Sequence, residues 1–207
     1  MTDTTNPWLP QEPEPAVAEA QTRATVATTG PSRPQKGVPA PDLVDQLPVR
    51  QVGRPASLWV VGAHGGAAES TISDLEDSWA AAGHAWPVAR GDEPARVIIV
   101  ARTSARGLRA AQSAAKQWAA GLVDGVELLG LVLVADAPGR LPRPLRDLAK
   151  IVGGGYPRAW HVPWIESWRL GEQVSTDIAV REVRRLVDDL RILLPPGASS
   201  GAATERN

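Results

Sequence analysis

The sequence VVGAHGGAAESTI at residues 60–72 is the strongest indication of the fold. Its apolar start runs into paired glycines, and the hydroxyl pair Ser70 and Thr71 then opens a predicted helix. A strand, a glycine-rich turn and a helix start form the outline of a phosphate-binding loop, in which backbone N–H groups surround an anion. The residue before the hydroxyl pair, where such a loop carries a lysine, is Glu69. The stretch therefore predicts a nucleotide-binding scaffold and leaves open whether a ligand still binds.

Strand-like and helix-like segments alternate along the chain around this loop. The strand-like segments are short apolar runs at 57–62, 84–89, 96–102, 126–136 and 158–164. The helix-like segments, with apolar residues at helical spacing, are 70–83, 104–121, 142–155 and 173–194. This alternation predicts an α/β domain with three layers: a mostly parallel sheet of about five strands and helices on both faces. Ligands of such sheets bind beyond the carboxyl ends of the strands.

The sequence predicts one domain between two tails. Residues 1–55 are rich in proline and sustain no apolar period, which predicts a disordered arm. The α/β domain is expected over 56–194, and 195–207 form a second disordered tail. Two islands in the arm, NPWLP at 6–10 and DLVDQLPV at 42–49, are either linker or short motifs that dock on a partner.

The amino-acid composition argues against several kinds of functional site. The 207 residues include no Cys and only three His, so neither a thiolate site nor a zinc site is expected. A net charge of −1 gives no general attraction to nucleic acid or anionic lipid. No apolar run approaches the roughly 20 residues that cross a bilayer, and the acidic, proline-rich start does not match a signal peptide. A cytoplasmic protein without a membrane span is the expectation.

The first strand and its loop resemble the ParA/MinD-type branch of P-loop NTPases. The loop residues that fit this branch are Gly65, Gly66, Ser70 and Thr71, and those that depart are Ala63, His64, Ala68 and Glu69. The likeness continues through 96–111, 127–141 and 159–164 and covers roughly residues 57–170. It is nearest to an actinobacterial family of degenerate ATPase-like proteins, whose members accompany conjugative and secretion-type gene sets. The resemblance makes Asp136 the candidate contact for a purine base, although an aspartate before Ala-Pro-Gly is also an ordinary turn former.

The departures weaken phosphate binding. A carboxylate at Glu69 replaces a cation, and two like charges about 4 Å apart repel by about 4 kcal/mol at an effective dielectric of 20. Ala68 adds a Cβ where glycine lets the backbone approach a phosphate. Glu69 also has a positive interpretation, because a carboxylate in the first turn of a helix can supply the negative charge that the helix start attracts. The alternatives are an ordinary exposed glutamate and a nucleotide site that tolerates it.

The sequence offers no carboxylate for catalysis. The acidic residues between the loop and the next buried strand are Asp74, Glu76, Asp77, Asp92 and Glu93. None of them follows a predicted buried strand, so Mg²⁺ and an attacking water have no organiser. The chain is therefore expected to be a non-enzyme with no catalytic residue, no metal site and no cofactor. Mg-ATP remains only under the alternative of a divergent ATPase.

Three further groups carry two interpretations each. Thr103 or Ser104 caps the following helix or contacts an anion. The basic residues at 140–150 form a solvated face or a nucleic-acid patch. The tryptophans at 160, 164 and 168 pack in the core and at its rim, or mark a stacking platform or a protein interface.

The leading functional hypothesis is a non-catalytic, ATPase-like domain that binds other proteins. The resemblance implies an accessory factor of a DNA-transfer, partitioning or secretion system. Its partner would be a true ParA/MinD-type ATPase or a secretion or conjugation component, and the chain could also pair with itself. The rivals are a divergent nucleotide-binding ATPase and a DNA-associated accessory protein. Nucleic acid is not the expected partner.

Overall fold

The computed structural model describes residues 26–53, 55–89, 93–172 and 180–195. The strands in these ranges are β1 Val49–Val52, β2 Leu58–Gly62, β3 Trp79–Gly83, β4 Trp86–Ala89, β5 Ala95–Arg102, β6 Val126–Val134 and β7 Ala159–Val162. The helices are α1 Glu69–Ser73, α2 Ala105–Ala119, α3 Arg143–Gly154, α4 Glu166–Arg169 and α5 Arg181–Leu193, with one 3-10 turn at Leu43–Asp45.

The main sheet has five strands in the order β3-β2-β5-β6-β7, and all neighbours are parallel. The α/β class, the parallel sheet and the number of its strands agree with the sequence-based expectation, but one strand differs. The strand predicted at 84–89 lies outside this sheet as β4, and β3 takes the fifth place. The central strands β5 and β6 are continuous apolar runs because helices cover both faces of the sheet. Ser104 starts α2 as its N-cap, accepting the Gly107 N–H at 3.2 Å.

Alternate strand residues enter two separate cores, as the two-residue period of a strand requires. On one face Val61, Ile99 and Leu133 pack beneath α2 and α3. On the other face Val60, Ile98 and Val132 pack beneath α1 and α5. The helices therefore form a layer on each side of the sheet.

The helix predicted over 70–83 is wrong in its second half. Helix α1 ends at Ser73, a turn follows, and Trp79–Gly83 forms the edge strand β3 beside β2. Alanine favours helices, but Trp79 and Ala80 gain nearly complete burial as a strand. Packing against the sheet outweighs helix propensity here.

The structure also differs from the disordered arm expected through residue 55. Strand β1 pairs in parallel with β4 to form a separate two-stranded sheet. The Leu47 N–H donates to the Gln117 side chain at 2.9 Å, and the same side chain donates back to the Leu47 carbonyl at 2.8 Å. The Thr29 N–H reaches the Pro157 carbonyl at 2.8 Å. Residues 26–53 therefore pack on the α/β domain.

Several predictions lie outside the described residues. These are the 6–10 island, the start of the helix predicted at 173–194, and the tail after residue 195. The described part of the last helix begins at Arg181. Within the described ranges, no helix is both long enough and apolar enough to cross a membrane.

Candidate functional site

The loop at residues 63–68 lies where the order of the sheet reverses. The chain leaves β2, forms β3 on one side of it, and then returns as β5 on the other side. In open parallel sheets, the crevice at such a switch point is the usual ligand site. The loop therefore occupies the position at which a ligand would be expected.

Two of the chain's own side chains connect the loop to the strands beside this crevice. The Arg102 N–H donates to His64 Nε2 at 3.1 Å, and His64 Nδ1 lies 2.9 Å from the Gly65 carbonyl oxygen. The Arg102 side chain donates through Nε to the Gly66 carbonyl at 3.2 Å and through Nη1 to the Ala135 carbonyl at 3.0 Å. We call His64 and Arg102 the latch, because together they tie the loop to the ends of β5 and β6.

Glu69 turns inward and pairs with a histidine. Its carboxylate Oε1 lies 3.7 Å from His84 Nε2, and its side chain is only 17% exposed. His84 Nδ1 lies 3.1 Å from the Gly62 carbonyl oxygen, which can only accept. The pair is therefore attractive only when His84 carries a proton on each ring nitrogen. Glu69 is in the first turn of α1, as expected, but the partner the structure gives it is His84 at the end of β3.

Two glycines allow these contacts. A Cβ at Gly62 would lie 2.8 Å from His84 Nδ1 and 2.9 Å from Glu69 Oε2. A Cβ at Gly107 would lie 2.3 Å from the Arg102 carbonyl oxygen. The strand end before the loop and the helix beside it thus have no room for a side chain.

Ala68 is the conformational outlier of the site. Its φ of 80° places it in the left-handed region, and it is the only non-glycine residue there within the described ranges. An L-residue pays for this conformation because its Cβ crowds the following carbonyl. Ala68 keeps the backbone shape of a glycine-rich loop without the glycine.

The remaining predicted site residues lie at different distances from the latch. Ser70 is exposed, and its carbonyl accepts the Ser73 hydroxyl at 2.8 Å. Thr71 lines a small cavity of about 40 Å³ together with Arg102. The Asp136 N–H donates to Thr103 Oγ1 at 3.1 Å, next to the carbonyl of Ala135 that Arg102 binds. The structure thus places Gly66 and Thr71 beside Arg102 and Gly65 beside His64, and Asp136 follows the Ala135 that Arg102 contacts.

The carboxylates of Asp74, Glu76 and Asp77 do not enter the site, and Asp92 lies outside the described residues. Asp74, Glu76 and Asp77 follow α1 instead of lying within a helix, and Glu76 accepts a hydrogen bond from Arg191. The strand in this interval, β3, was not predicted, and it is followed by His84, which is not a carboxylate. Within the described ranges, no group of three His, Asp or Glu side chains could hold a metal ion.

A larger cavity opens beside Asp136, at the carboxyl ends of β5, β6 and β7. It has a volume of about 430 Å³, and its lining is mostly apolar, including Leu133, Leu141 and Val162. His161 lies at its rim, where burial by surrounding protein atoms lowers the pKa of the ring. The cavity has the size and character of a small-molecule pocket.

Sequence reasoning missed the two partners that define the site. The position of His84 beside the loop depends on β3, in a segment whose sequence predicts a helix. The contacts of the Arg102 side chain with Gly66 and Ala135 depend on the order of β2, β5 and β6 in the sheet.

Residues 56–187 match the model of a family of unknown function (DUF6668), which covers well over half of the chain. No curated protein and no solved structure matches this chain.

Proposed function

We propose that this chain, which belongs to the DUF6668 family, is a non-catalytic, ATPase-like domain that works by binding another protein. Its loop would keep the shape of a P-loop but not its ligand. The partner would be a true ParA/MinD-type ATPase or a component of a DNA-transfer, partitioning or secretion system. The resemblance of residues 57–170 to ParA/MinD-type proteins supports this choice of partner.

The occupied crevice is the observation that carries the proposal. The latch uses the carbonyls of Gly65 and Gly66, and the Glu69 carboxylate lies where a P-loop needs a cation. A triphosphate at the loop would meet the negative charge of Glu69, and no lysine is present at that position to offset the charge. Helix α1 adds little attraction, because five residues make barely more than one turn of aligned peptide dipoles.

Two features suit the surface around the loop at residues 63–68, which we call the loop edge, to docking another protein. Gly65 and Gly66 are exposed and present backbone without side chains. Trp164 and Trp168 are half-buried beside Arg102 and line the same small cavity. Tryptophan and arginine are the residue types that contribute most to protein interfaces. A partner or a second copy of this chain would pack against this edge.

Nucleotide titration tests the first half of the proposal. Trp164 and Trp168 lie beside Thr71, so their fluorescence should report binding at the loop. We expect no saturable change with Mg-ATP or Mg-GTP up to about 1 mM. The double variant Ala68→Gly with Glu69→Lys removes the added Cβ and the carboxylate, and it should gain measurable affinity. Micromolar binding by the unmodified chain would contradict the proposal.

Partner capture tests the second half. The tagged chain is cross-linked in its native cell and compared with the variant Trp164→Ser, Trp168→Ser. We expect one dominant partner that the double tryptophan variant loses, while the matched variant Leu122→Ser keeps it. Leu122 is an exposed apolar residue that follows α2 at the opposite end of the sheet. Equal recovery by all three chains would place the partner elsewhere and contradict the proposed edge.

The divergent ATPase is the second candidate, and the 430 Å³ cavity beside Asp136 is the observation that favours it. A purine could enter this mostly apolar space without touching Glu69. The same titration separates the candidates, because a divergent ATPase would bind Mg-ATP saturably and more tightly than adenosine, which has no phosphates.

A further inference from the structure

The outer surfaces of α2 and α3 form one basic face. The two helices are neighbours on the same side of the sheet, so their solvent-facing side chains point the same way. The exposed cations on this face are Arg106, Arg109, Lys116, Arg143, Arg146 and Lys150. Helix α2 contains no carboxylate, and α3 contains only Asp147, which lies 3.7 Å from Arg143.

The charge of this face is segregated from the rest of the molecule. Six cations and one carboxylate give the two helices a net charge of +5, while the whole chain carries −1, so the remaining residues together carry −6. The net charge of the whole chain is close to zero, but the local positive charge of this face is large enough to attract a polyanion. The loops that flank the two helices add the carboxylates Asp124 and Asp136 and the cations Arg140 and Arg158. The 3-10 turn at Leu43–Asp45, which contacts α2, adds Asp45.

Stability of the helices does not account for these cations. Arg106 and Arg143 lie in the first turns of α2 and α3, and neither first turn holds an acidic residue. The partial positive charge of a helix start disfavours cations there. Among the six side chains, Arg143 is the one with an ion-pair partner in the described part of the chain. The others face solvent without a compensating charge.

We propose that the α2/α3 face binds the phosphate backbone of duplex nucleic acid without reading its sequence. Four of the six cations are arginines, whose planar guanidinium groups bind phosphate through two hydrogen bonds. From Arg106 to Lys116 the stripe runs about 15 Å at 1.5 Å per residue, and a duplex presents a phosphate for about every 1.7 Å of its axis. Several phosphates therefore face the stripe at once.

An acidic protein fits this face less well. A protein interface needs an apolar centre that excludes water from its polar contacts. The large apolar side chain exposed on these helices is Ile151, near the far end of α3, away from the arginine cluster. The face is almost wholly charged, as expected of a surface that binds through phosphate contacts alone.

Anisotropy of a fluorescein-labelled 20-base-pair duplex of random sequence tests this inference. We expect affinity to fall by about 100-fold between 50 and 200 mM salt if four phosphates are neutralised. The variant Arg109→Gln with Arg146→Gln should reduce the slope of log affinity against log salt by about two. The control variant Arg181→Gln with Arg184→Gln removes the same charge from exposed positions on α5, on the opposite face, and should leave the slope unchanged.

Three results would overturn the inference. These are the absence of binding at 50 mM salt, an equal loss in both double variants, and tighter binding of polyglutamate than of the duplex at equal charge. The second result would mean that only net charge matters, and the third would assign the face to an acidic protein. Melting curves of both variants confirm that each is folded, so that a loss of binding reflects the missing cations.

Discussion

At the scale of single residues, the two histidines of the site have different protonation requirements. His64 accepts the Arg102 N–H at Nε2, so its proton must be on Nδ1, facing the Gly65 carbonyl, and the ring is neutral. His84 lies between a carbonyl oxygen on one side and a carboxylate on the other. The loop thus holds one imidazole that accepts a backbone N–H and one that lies between two oxygen acceptors.

Replacing Ala68 with glycine should stabilise the folded protein. Ala68→Gly removes a left-handed strain of about 1–2 kcal/mol, against a smaller loss from the unfolded-state entropy of glycine and from the buried methyl group. We expect a net gain of up to about 1 kcal/mol in the free energy of unfolding, measured by urea denaturation. Ala67→Gly is the control, since Ala67 is fully buried without a positive φ, and it should lose about 1 kcal/mol. A loss at both positions would argue against strain at Ala68.

His161 should make the fold sensitive to acid. Burial lowers the pKa of its ring from the ordinary 6.5, so below that pH the unfolded chain binds more protons than the folded chain. Stability is therefore retained above pH 6.5 and lost as the pH falls toward the lowered pKa. The Tm of the unmodified chain should fall more between pH 7.5 and 5.5 than the Tm of His161→Gln. An equal fall in both would exclude this histidine as the cause.

At the scale of elements, one buried side chain joins the N-terminal segment to the domain. Gln117 on α2 exchanges two hydrogen bonds with Leu47, as a neighbouring strand would, and also accepts the indole N–H of Trp86 at 3.0 Å. Gln117 is 2% exposed, so water does not replace these bonds if they are lost. The position of β1 beside β4 depends on this contact.

Gln117→Leu should weaken this junction. The change leaves the Leu47 N–H and carbonyl and the Trp86 indole without their partner, at about 1–3 kcal/mol for each buried group. We expect a total loss of roughly 3 kcal/mol in the free energy of unfolding, with faster proteolysis between residues 26 and 53. The same substitution at Gln112, an exposed residue of α2, should change stability by less than about 0.5 kcal/mol. Similar losses at both positions would show that hydrophobic surface, and not the lost hydrogen bonds, is responsible.

Some strands and helices could be predicted from the sequence, and others could not. The central strands were predictable because continuous apolar runs such as VIIV at 97–100 suit a strand that is covered on both faces. Strand β3 was not, since its alanines favour a helix until the neighbouring strand β2 is known. The candidate site also has a part that the sequence predicts and a part that depends on the tertiary structure. Glu69 was located in a first turn, but its partner His84 became visible only once α1 ended at Ser73 and β3 brought residue 84 back to the loop.

At the scale of the whole molecule, the N-terminal segment extends the core beyond the boundary predicted at 55/56. Val38, Leu47 and Val52 pack against the core beneath α2, and the Gln35 N–H donates to the Ala119 carbonyl at 2.8 Å. Strand β1 also pairs with β4, and together they form a two-stranded sheet. An isolated two-stranded ribbon is marginal, so each of these strands depends on the other and on the domain beneath.

Truncation should therefore distinguish two parts of the N-terminal region. A chain starting at residue 54 loses three apolar side chains from the core surface and leaves β4 unpaired, which costs at least about 3 kcal/mol. For a domain of this size, we expect the Tm to fall by about 6–12 °C in thermal unfolding. A chain starting at Val26 keeps every described contact and serves as the control, with a Tm within about 2 °C of the full chain. If the shorter chain melted with the control, residues 26–53 would rest on the domain without stabilising it, and the boundary at 55/56 would stand.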